Sequence, residues 1–249
     1  MKKTEVIIKH HDREIFGIYY KPDGADKYPM VIFSHGYNGT WKDLDEYAEP
    51  LAQRGIGCIC YDFCGGSVNS KSSMDTSQMT IFTEKEDLFA VFEEVSGWNG
   101  VDTEHIFLFG ESQGGLVSAL AAAELKEKIC GMILLYPALC IPDDWTKKYP
   151  KSSDIPEILE FWEMRLGREY IATIQGFDVF SHIKEYSGLV HIIHGTSDDI
   201  VPVSYSEKAA QIYSNAEITI IDGERHGFAP ENCKKVLEIT ESFIMDKLK

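Results

Sequence analysis

The first twenty residues alternate hydrophobic and polar positions with a period of two. The segments TEVIIKH (4–10) and EIFGIYY (14–20) lie on either side of a polar turn. Such alternation is typical of strands that bury one face. The pattern therefore predicts an N-terminal antiparallel hairpin.

Later segments are short runs with hydrophobic residues on both faces. They are MVIFS (30–34), IGCICYD (56–62), HIFLFG (105–110), GMILLY (131–136), LVHIIHG (189–195) and AEITIID (216–222). Strands that are buried on both faces belong inside a parallel sheet covered by helices. Helical patterns separate these segments near residues 42–54, 83–96, 113–126, 203–214 and 231–247. The alternation predicts an α/β fold with a mostly parallel, doubly wound sheet of about eight strands.

Residues 141–182 separate two predicted strands by more chain than a simple crossover requires. We interpret this segment as a small cap inserted into a single domain that spans residues 1–249. Within the cap, the stretch SSDIPEILEFWEMRLG predicts a helix that begins near Ser153 or Asp154 and stops at Gly167. The hydrophobic face of this helix would carry residues spaced four apart, namely Ile158, Trp162 and Leu166.

The charge of the chain excludes several classes of partner. It carries 40 acidic and 24 basic residues, which give a formal net charge of -16. This charge repels the phosphates of nucleic acids and anionic lipid surfaces. No segment approaches the ~20 apolar residues of a membrane-spanning helix, and the alternating start is unlike an export signal. We expect a cytoplasmic protein with no nucleic-acid or membrane partner, and a homodimer is compatible with the sequence.

The cysteines lie mostly in hydrophobic segments, at Cys58, Cys60, Cys64, Cys130, Cys140 and Cys233. No pair has metal-ligand spacing supported by histidines. We therefore expect packed, reduced thiols, with disulfide or redox use as the alternative, and we expect neither a metal nor a cofactor. Cys64 lies in a glycine-rich loop and is the candidate for an exposed thiol.

The stretch FGESQGGLVSAL (109–120) places a serine where a predicted strand ends and a helix begins. In open parallel sheets, ligands bind beyond the carboxyl ends of the strands. Gly110 and Gly114 permit a tight turn that exposes Ser112. The backbone N–H of Gln113 would lie at the helix N-terminus, where an oxyanion is favoured. The pattern predicts a nucleophile at Ser112, and the alternative is a serine that only caps the helix.

A serine nucleophile needs a base, usually a histidine, which is oriented by a carboxylate. Of the eight histidines, His226 lies in the loop between the last predicted strand and the last helix and can point back over the sheet. A solvated loop histidine is the alternative. The acid is expected in HGTSDDIVP, where we choose Asp198 for its place early in the loop and keep Asp199 as the alternative. We expect His194 and His35 to support loops.

The loop SHGYNGT follows the first parallel strand and offers a second oxyanion donor. Gly36 permits a tight turn, so the N–H of Tyr37 can point toward the same place as that of Gln113. The loss of one such donor typically costs about 2.7–4 kcal/mol of transition-state stabilisation. Candidate substrate-binding side chains, for which packing within the cap is the alternative role, are Tyr37, Trp145, Phe161 and Trp162.

The ordered motifs SHGYNG, GESQGG, HGTSDDIVP and RHGF resemble those of the α/β-hydrolase superfamily of serine esterases and lipases. The resemblance extends from about residue 15 to the C-terminus. It is closest to bacterial cinnamoyl and feruloyl esterases and to monoglyceride lipases. It implies a triad of Ser112, Asp198 and His226, with the backbones of Tyr37 and Gln113 as the oxyanion hole.

One loop departs from the family pattern. YDFCGGSVNSKSS replaces the commoner turn of glycine, any residue, glycine. Because this loop borders the pocket in relatives, it bears on substrate preference.

The resemblance implies a carboxylic ester hydrolase that forms an acyl-serine intermediate on a small-molecule ester, without a cofactor. We expect short-chain or aryl esters of the cinnamoyl or feruloyl type, because no long apolar lid is present. A thioesterase or acyltransferase on the same scaffold is one alternative, and a non-catalytic binding protein of this fold is another.

Overall fold

The computed structural model describes residues 1–24 and 26–248. In this part of the chain the strands are β1 (Lys2–His10), β2 (Arg13–Lys21), β3 (Tyr28–Ser34), β4 (Gly57–Tyr61), β5 (Val101–Glu111), β6 (Gly131–Leu135), β7 (Ile158–Phe161), β8 (Met164–Gly167), β9 (Leu189–Gly195) and β10 (Ala216–Ile221). The α-helices are α1 (Asp45–Gln53), α2 (Ile81–Ser96), α3 (Ser112–Leu125), α4 (Ile141–Lys148), α5 (Arg168–Ala172), α6 (Val179–Ile183), α7 (Val203–Ile212) and α8 (Pro230–Met245).

Within the described residues, eight strands form one sheet in the order β1-β2-β4-β3-β5-β6-β9-β10. The pairs β1–β2 and β2–β4 are antiparallel. All other neighbours in the sheet are parallel. The prediction of an α/β fold with a mostly parallel sheet and an N-terminal antiparallel hairpin is therefore confirmed.

The order of the strands reverses around β3. The chain places β4 on one side of β3 and β5 on the other. The loops that leave β3 and β5 consequently diverge, and the crevice between them is the usual ligand position of an open parallel sheet. Because β5 leads directly into α3 at Ser112, this residue lies at the crevice.

The central strands are buried on both faces, which explains why they read as continuous hydrophobic runs. All residues of β3 and β4 are buried. One hydrophobic cluster includes residues of α2, α3 and the cap, and a second includes residues of α1 and α8. These two clusters cover the two faces of the sheet, and the loops at its carboxyl edge lie between them.

The predicted cap helix over SSDIPEILEFWEMRLG is wrong. This stretch forms the antiparallel hairpin of β7 and β8, in which Leu159 pairs with Leu166. Trp162 and Glu163 form its turn, with φ angles of 43° and 65°. Positive φ at both central residues matches the twist of a two-residue hairpin turn.

The error arose because the same residues fit two periodicities. In β7 the burial alternates, with Ile158 exposed and Leu159 partly buried, and in β8 it alternates again around the exposed Arg165. The spacing of four that suggested a helix face leaves Ile158 42% exposed and Trp162 56% exposed, whereas Leu166 is buried. Period two decides because Leu159 and Leu166 are cross-strand partners in the hairpin.

The expectation of an exposed Cys64 is also wrong, because this residue is fully buried. Its backbone N–H donates to Asp87 Oδ2 at 2.8 Å, which draws the loop onto α2. The same loop supports the segment after β3, since Asn38 N–H donates to Gly66 O at 3.1 Å. All six thiols are unpaired.

No helix within residues 1–24 and 26–248 has both the length and the apolar composition that a bilayer crossing needs.

Candidate active site

The loops that follow β5, β9 and β10 bring Ser112, Asp198 and His226 together at the carboxyl edge of the sheet. His226 Nε2 lies 3.0 Å from Ser112 Oγ. His226 Nδ1 lies 2.8 Å from Asp198 Oδ2. A hydroxyl, an imidazole and a carboxylate thus form one hydrogen-bonded series from three loops that are far apart in the sequence.

The turn at Ser112 is strained and close-packed. Ser112 has a φ of 49°, a left-handed conformation that is rare for residues other than glycine. A Cβ on Gly110 would lie 2.4 Å from Gly114 O, and a Cβ on Gly114 would lie 2.2 Å from Ser34 O. Only glycine fits at these two positions, so the motif fixes a serine hydroxyl at the tip of a sharp strand-to-helix turn.

The hydrogen-bond partners of His226 determine where its proton lies. Nδ1 faces the carboxylate of Asp198 and therefore carries the proton, which leaves Nε2 to accept from the Ser112 hydroxyl. This tautomer lets a neutral imidazole take a proton from the serine. The ring of Tyr136 packs against the imidazole with 4.6 Å between ring centroids.

Asp198 is held as a buried anion. Its side chain has 0% exposure, and burial by itself opposes ionisation. Hydrogen bonds from His194, His226 and the backbone N–H groups of Val201 and Ile200 outweigh that cost and hold the pKa of Asp198 well below its usual range. The carboxylate is consequently ionised at neutral pH.

Asp199 occupies a different environment from its neighbour. Its side chain is 58% exposed and forms an ion pair with Arg225. The carboxylate that pairs with His226 is that of Asp198, whereas Asp199 borders the cavity described below.

His194 and His35 both support loops around the site. His194 Nε2 lies 3.1 Å from Asp198 Oδ2 and 3.0 Å from Val201 O, so it donates to both. His35 Nδ1 donates to Gly36 O at 2.7 Å, while its Nε2 accepts from the N–H of Phe63 at 3.0 Å. Burial lowers the pKa of His35, so it remains a neutral link between two loops.

Two backbone N–H groups near Ser112 have no acceptor among the described residues. The N–H of Gln113 lies in the first turn of α3, where the helix offers no acceptor. Among residues 1–24 and 26–248, none accepts a hydrogen bond from the N–H of Tyr37. Gly36 brings this loop close, because a Cβ there would lie 3.3 Å from the Cβ of Ser112.

A buried network fixes the side chain of Gln113. Tyr170, from α5 of the cap, donates to Gln113 Oε1 at 2.6 Å. Gln113 Nε2 in turn donates to Glu84 Oε2 at 2.8 Å. Burial raises the pKa of Glu84 well above its usual value, so the network that α2, α3 and the cap share favours the protonated form of this carboxyl group.

A cavity of about 290 Å³ opens beside Ser112. The four predicted substrate-binding side chains, Tyr37, Trp145, Phe161 and Trp162, all line it. Their rings also pack on one another, as the 5.0 Å between the ring centroids of Trp145 and Phe161 shows. Substrate contact and cap packing are therefore compatible roles for these residues.

Other residues of this cavity were not predicted. They are Ala138, Cys140, Ile141, Asp144, Lys148, Tyr170, Ile200 and Val201. The spacing of Ile141, Trp145 and Lys148 along α4 marks one helix face and could have indicated some of them.

A second cavity of about 210 Å³ lies beside the first. It shares Tyr37, Ser112 and Trp162 with the first cavity, but it is also lined by His226 and Glu111. Ser112 therefore sits at the boundary between two compartments of different composition. The sequence reasoning did not single out Glu111, although it directly precedes the serine.

Comparison with known proteins shows the family to which the chain belongs. A family model described as serine aminopeptidase, S33 (Hydrolase_4) matches residues 26–171. Monoglyceride lipase from Rattus norvegicus is 30% identical over 129 residues, which are 50% of this chain and 40% of the rat protein. The chain thus matches less than half the length of this curated relative.

Two solved structures extend the likeness to nearly the whole chain. Est1E from Butyrivibrio proteoclasticus, with ferulic acid bound, has a TM-score of 0.90 and 25% identity, covering 98% of this chain and 99% of Est1E. Alpha/beta hydrolase domain-containing protein 10 from mouse shares the fold, with a TM-score of 0.75 and 17% identity over 99% of this chain and 100% of the mouse chain. The resemblance identified from the four motifs is confirmed. The chain belongs to the Hydrolase_4 family of serine hydrolases and has the α/β-hydrolase fold.

Proposed function

We propose that this protein hydrolyses carboxylic esters, with Ser112 as the nucleophile, His226 as the base and Asp198 as the orienting acid. The observation that carries the proposal is the hydrogen-bonded series of these three side chains, with 3.0 Å and 2.8 Å separations, at the mouth of an aromatic cavity. Membership of a serine hydrolase family supports the same conclusion.

In the first half of the reaction, Ser112 Oγ forms a bond to the ester carbonyl carbon while its proton passes to His226 Nε2. The carbonyl oxygen becomes an oxyanion, which the N–H groups of Tyr37 and Gln113 stabilise. When the tetrahedral intermediate collapses, the bond to the alcohol oxygen breaks and His226 returns the proton to that oxygen. The ionised Asp198 stabilises the imidazolium in between.

In the second half, a water molecule replaces the alcohol. His226 takes one proton from the water, whose oxygen bonds to the acyl carbon. The bond to Ser112 Oγ then breaks, and the proton returns to the serine. The products are one carboxylic acid and one alcohol for each ester and water consumed.

The two cavities suggest which side of the ester each one holds. The leaving oxygen must lie beside His226, because this residue protonates it. The alcohol therefore enters the smaller cavity, which His226 lines, and the acyl group enters the larger cavity. Aromatic walls from Tyr37, Trp145, Phe161 and Trp162 favour a flat acyl group of the aryl or cinnamoyl type, or a short acyl chain.

Turnover of an ester panel tests this function. The panel contains p-nitrophenyl acetate, butyrate and laurate, and methyl ferulate and cinnamate, with a thioester, an anilide and an added alcohol acceptor as comparisons. Faster cleavage of aryl or short acyl esters than of the laurate supports the proposed class. Preference for the thioester or transfer to the alcohol would support the alternative enzymes on this scaffold.

Ser112→Ala should lower kcat for the preferred ester by about 10⁵-fold or more, because the nucleophile is removed. The matched control is Ser118→Ala, another serine of α3, whose buried hydroxyl has no hydrogen-bond partner among the described residues. That control should retain turnover. Undiminished turnover by Ser112→Ala would remove the nucleophile from the proposal.

A further inference from the structure

Glu111 joins two parts of the active site that the proposed mechanism treats separately. Its Oε1 accepts a hydrogen bond from the N–H of Gly36 at 3.3 Å, in the loop that carries the Tyr37 donor. Its Oε2 accepts from the hydroxyl of Tyr136 at 3.1 Å. One carboxyl group therefore links the turn at Ser112, the loop after β3 and the end of β6.

Tyr136 extends this link to the base. Its ring packs on the imidazole of His226 with 4.6 Å between centroids. It has a φ of 36°, and its backbone N–H donates to Ile193 O at 2.8 Å, which fixes the residue between β6 and β9. Glu111, Tyr136, His226 and Ser112 all line the smaller cavity.

The surroundings of Glu111 place the pKa of its carboxyl group near neutral pH. Burial raises the pKa of Glu111 to about 7, against the hydrogen bonds from Tyr136 and Gly36 and the charge of His226, which lower it. The nearby carboxylate of Asp43 also contributes to the raised pKa. The remaining titratable groups that face Glu111 are Tyr47 and Cys60, and burial keeps both neutral by raising their pKa values.

We propose that Glu111 is a positioning residue of this reaction, whose ionised carboxylate holds the oxyanion loop through Gly36 and stabilises the imidazolium that forms on His226. The proposal rests on the proposed ester hydrolysis. A carboxyl group stabilises a nearby cation only when the carboxyl group is ionised. This stabilisation is greatest in a site with little water. In the proposed reaction Ser112 passes its proton to His226, so the positive charge that an ionised Glu111 stabilises develops on the way to the transition state.

The sign of the pH dependence follows directly. Above the pKa of Glu111 the carboxylate is ionised and supports the reaction. Below it the carboxyl group is neutral, and the support is lost. Glu111→Gln imitates the neutral carboxyl group. The substitution should therefore slow the reaction at high pH and change its rate little at low pH. A residue that only filled space would slow the reaction equally at both.

The test measures the rate at which Ser112 reacts with a fluorophosphonate probe, which needs no knowledge of the natural ester. Ser112 Oγ bonds to phosphorus, fluoride leaves, and the serine proton passes to His226, as in the first half of hydrolysis. Glu111→Gln should react about tenfold more slowly than the unsubstituted protein at about pH 8.5, and within about twofold of it at about pH 5.5. The midpoint of this change should lie near the pKa of Glu111.

Two further variants shift that midpoint in opposite directions. Tyr136→Phe removes a hydrogen bond that lowers the pKa of Glu111 but keeps the ring on His226, so the midpoint should move to higher pH. Asp43→Asn removes a charge that raises the pKa, yet it keeps an oxygen for the N–H of Thr40, which donates to Asp43 at 2.8 Å. Its midpoint should move to lower pH. For each variant, the midpoint is obtained by comparing its rate of probe reaction with that of a double variant that also carries Glu111→Gln.

The outcomes separate this proposal from the function it rests on. The rate of probe reaction in Glu111→Gln can be divided by the rate in the unsubstituted protein at each pH. If this ratio is constant across pH, the role of Glu111 is overturned, and Ser112 remains the nucleophile. Shifts in the same direction for the Tyr136 and Asp43 variants also overturn it. If the unsubstituted protein does not react at Ser112 at any pH, both proposals fall.

Discussion

Asp198 and Asp199 are neighbours in the sequence, but they lie in opposite environments. Asp198 is buried and accepts hydrogen bonds from two imidazoles and two backbone N–H groups. Asp199 is more than half exposed and pairs with Arg225. The difference arises because the chain turns between them, so that only one of the two carboxylates faces His226.

Asn substitutions at these neighbours should have very different effects. Asp198→Asn keeps the shape but removes the charge that stabilises the imidazolium and selects the tautomer of His226. We expect kcat for the preferred ester to fall by about 10³–10⁴-fold. For Asp199→Asn, the matched control, kcat should fall by less than about tenfold, because an exposed ion pair contributes little free energy. Equal losses in the two variants would contradict the choice of Asp198.

At the residue scale, the sequence was most informative where a single position has to satisfy a backbone constraint. Ser112 could be singled out because Gly110 and Gly114 predict the tight turn around it, and the structure has that turn. Glu111 and Tyr136 could not be found in this way. Their places depend on contacts between loops that no local pattern encodes.

At the scale of elements, the central strands of the main sheet were predictable because burial on both faces leaves an unambiguous hydrophobic run. The hairpin of β7 and β8 was not predictable, because its residues fit a helix period and a strand period. Its turn also lacks the usual glycine or asparagine signal, since Trp162 and Glu163 adopt positive φ angles instead. The hairpin reaches the site, as Tyr37 donates to Phe161 O at 2.7 Å.

This unusual turn gives a prediction about the cap. A left-handed conformation at a residue other than glycine costs about 1–2 kcal/mol, so Glu163→Gly should relieve strain and stabilise the hairpin by up to about 1 kcal/mol. Glu160→Gly is the matched control, because Glu160 is an exposed residue of β7. That change should destabilise the hairpin, since glycine weakens a strand.

Hydrogen exchange of the β7 and β8 amides measures local opening of this hairpin and is the appropriate readout. Slower exchange in Glu163→Gly and faster exchange in Glu160→Gly are the expected results. Faster exchange in both variants would show that the turn at Glu163 is not under strain.

At the scale of the whole molecule, the site depends on a sheet order that local patterns do not specify. The alternation of strands and helices predicts a parallel sheet, and the four motifs predict which loops meet at its carboxyl edge. The two cavities could not be predicted, because their walls come from the segments after β3, β5, β6, β9 and β10 together with the cap. Their shape follows from how the cap packs on the sheet.

Folding also places Glu84 inside the molecule, with 1% exposure, which makes the stability of the whole protein depend on pH. Its pKa is raised well above the usual value by burial. The folded state therefore keeps a proton that the unfolded state releases as the pH rises above the ordinary pKa of a glutamate. By linkage, this group makes the free energy of unfolding fall with rising pH.

Glu84→Gln should remove this dependence, because glutamine is neutral at every pH and can still accept the hydrogen bond from Gln113. We expect the free energy of unfolding to rise at about pH 8 and to change little at about pH 4.5. Urea unfolding at the two pH values measures this difference. Glu93→Gln, on the exposed side of α2, is the matched control and should change the free energy equally at both. A gain at pH 8 no larger than that of the control would mean that Glu84 is ionised in the folded protein, with the buried network around Gln113 supplying the stabilisation its charge requires.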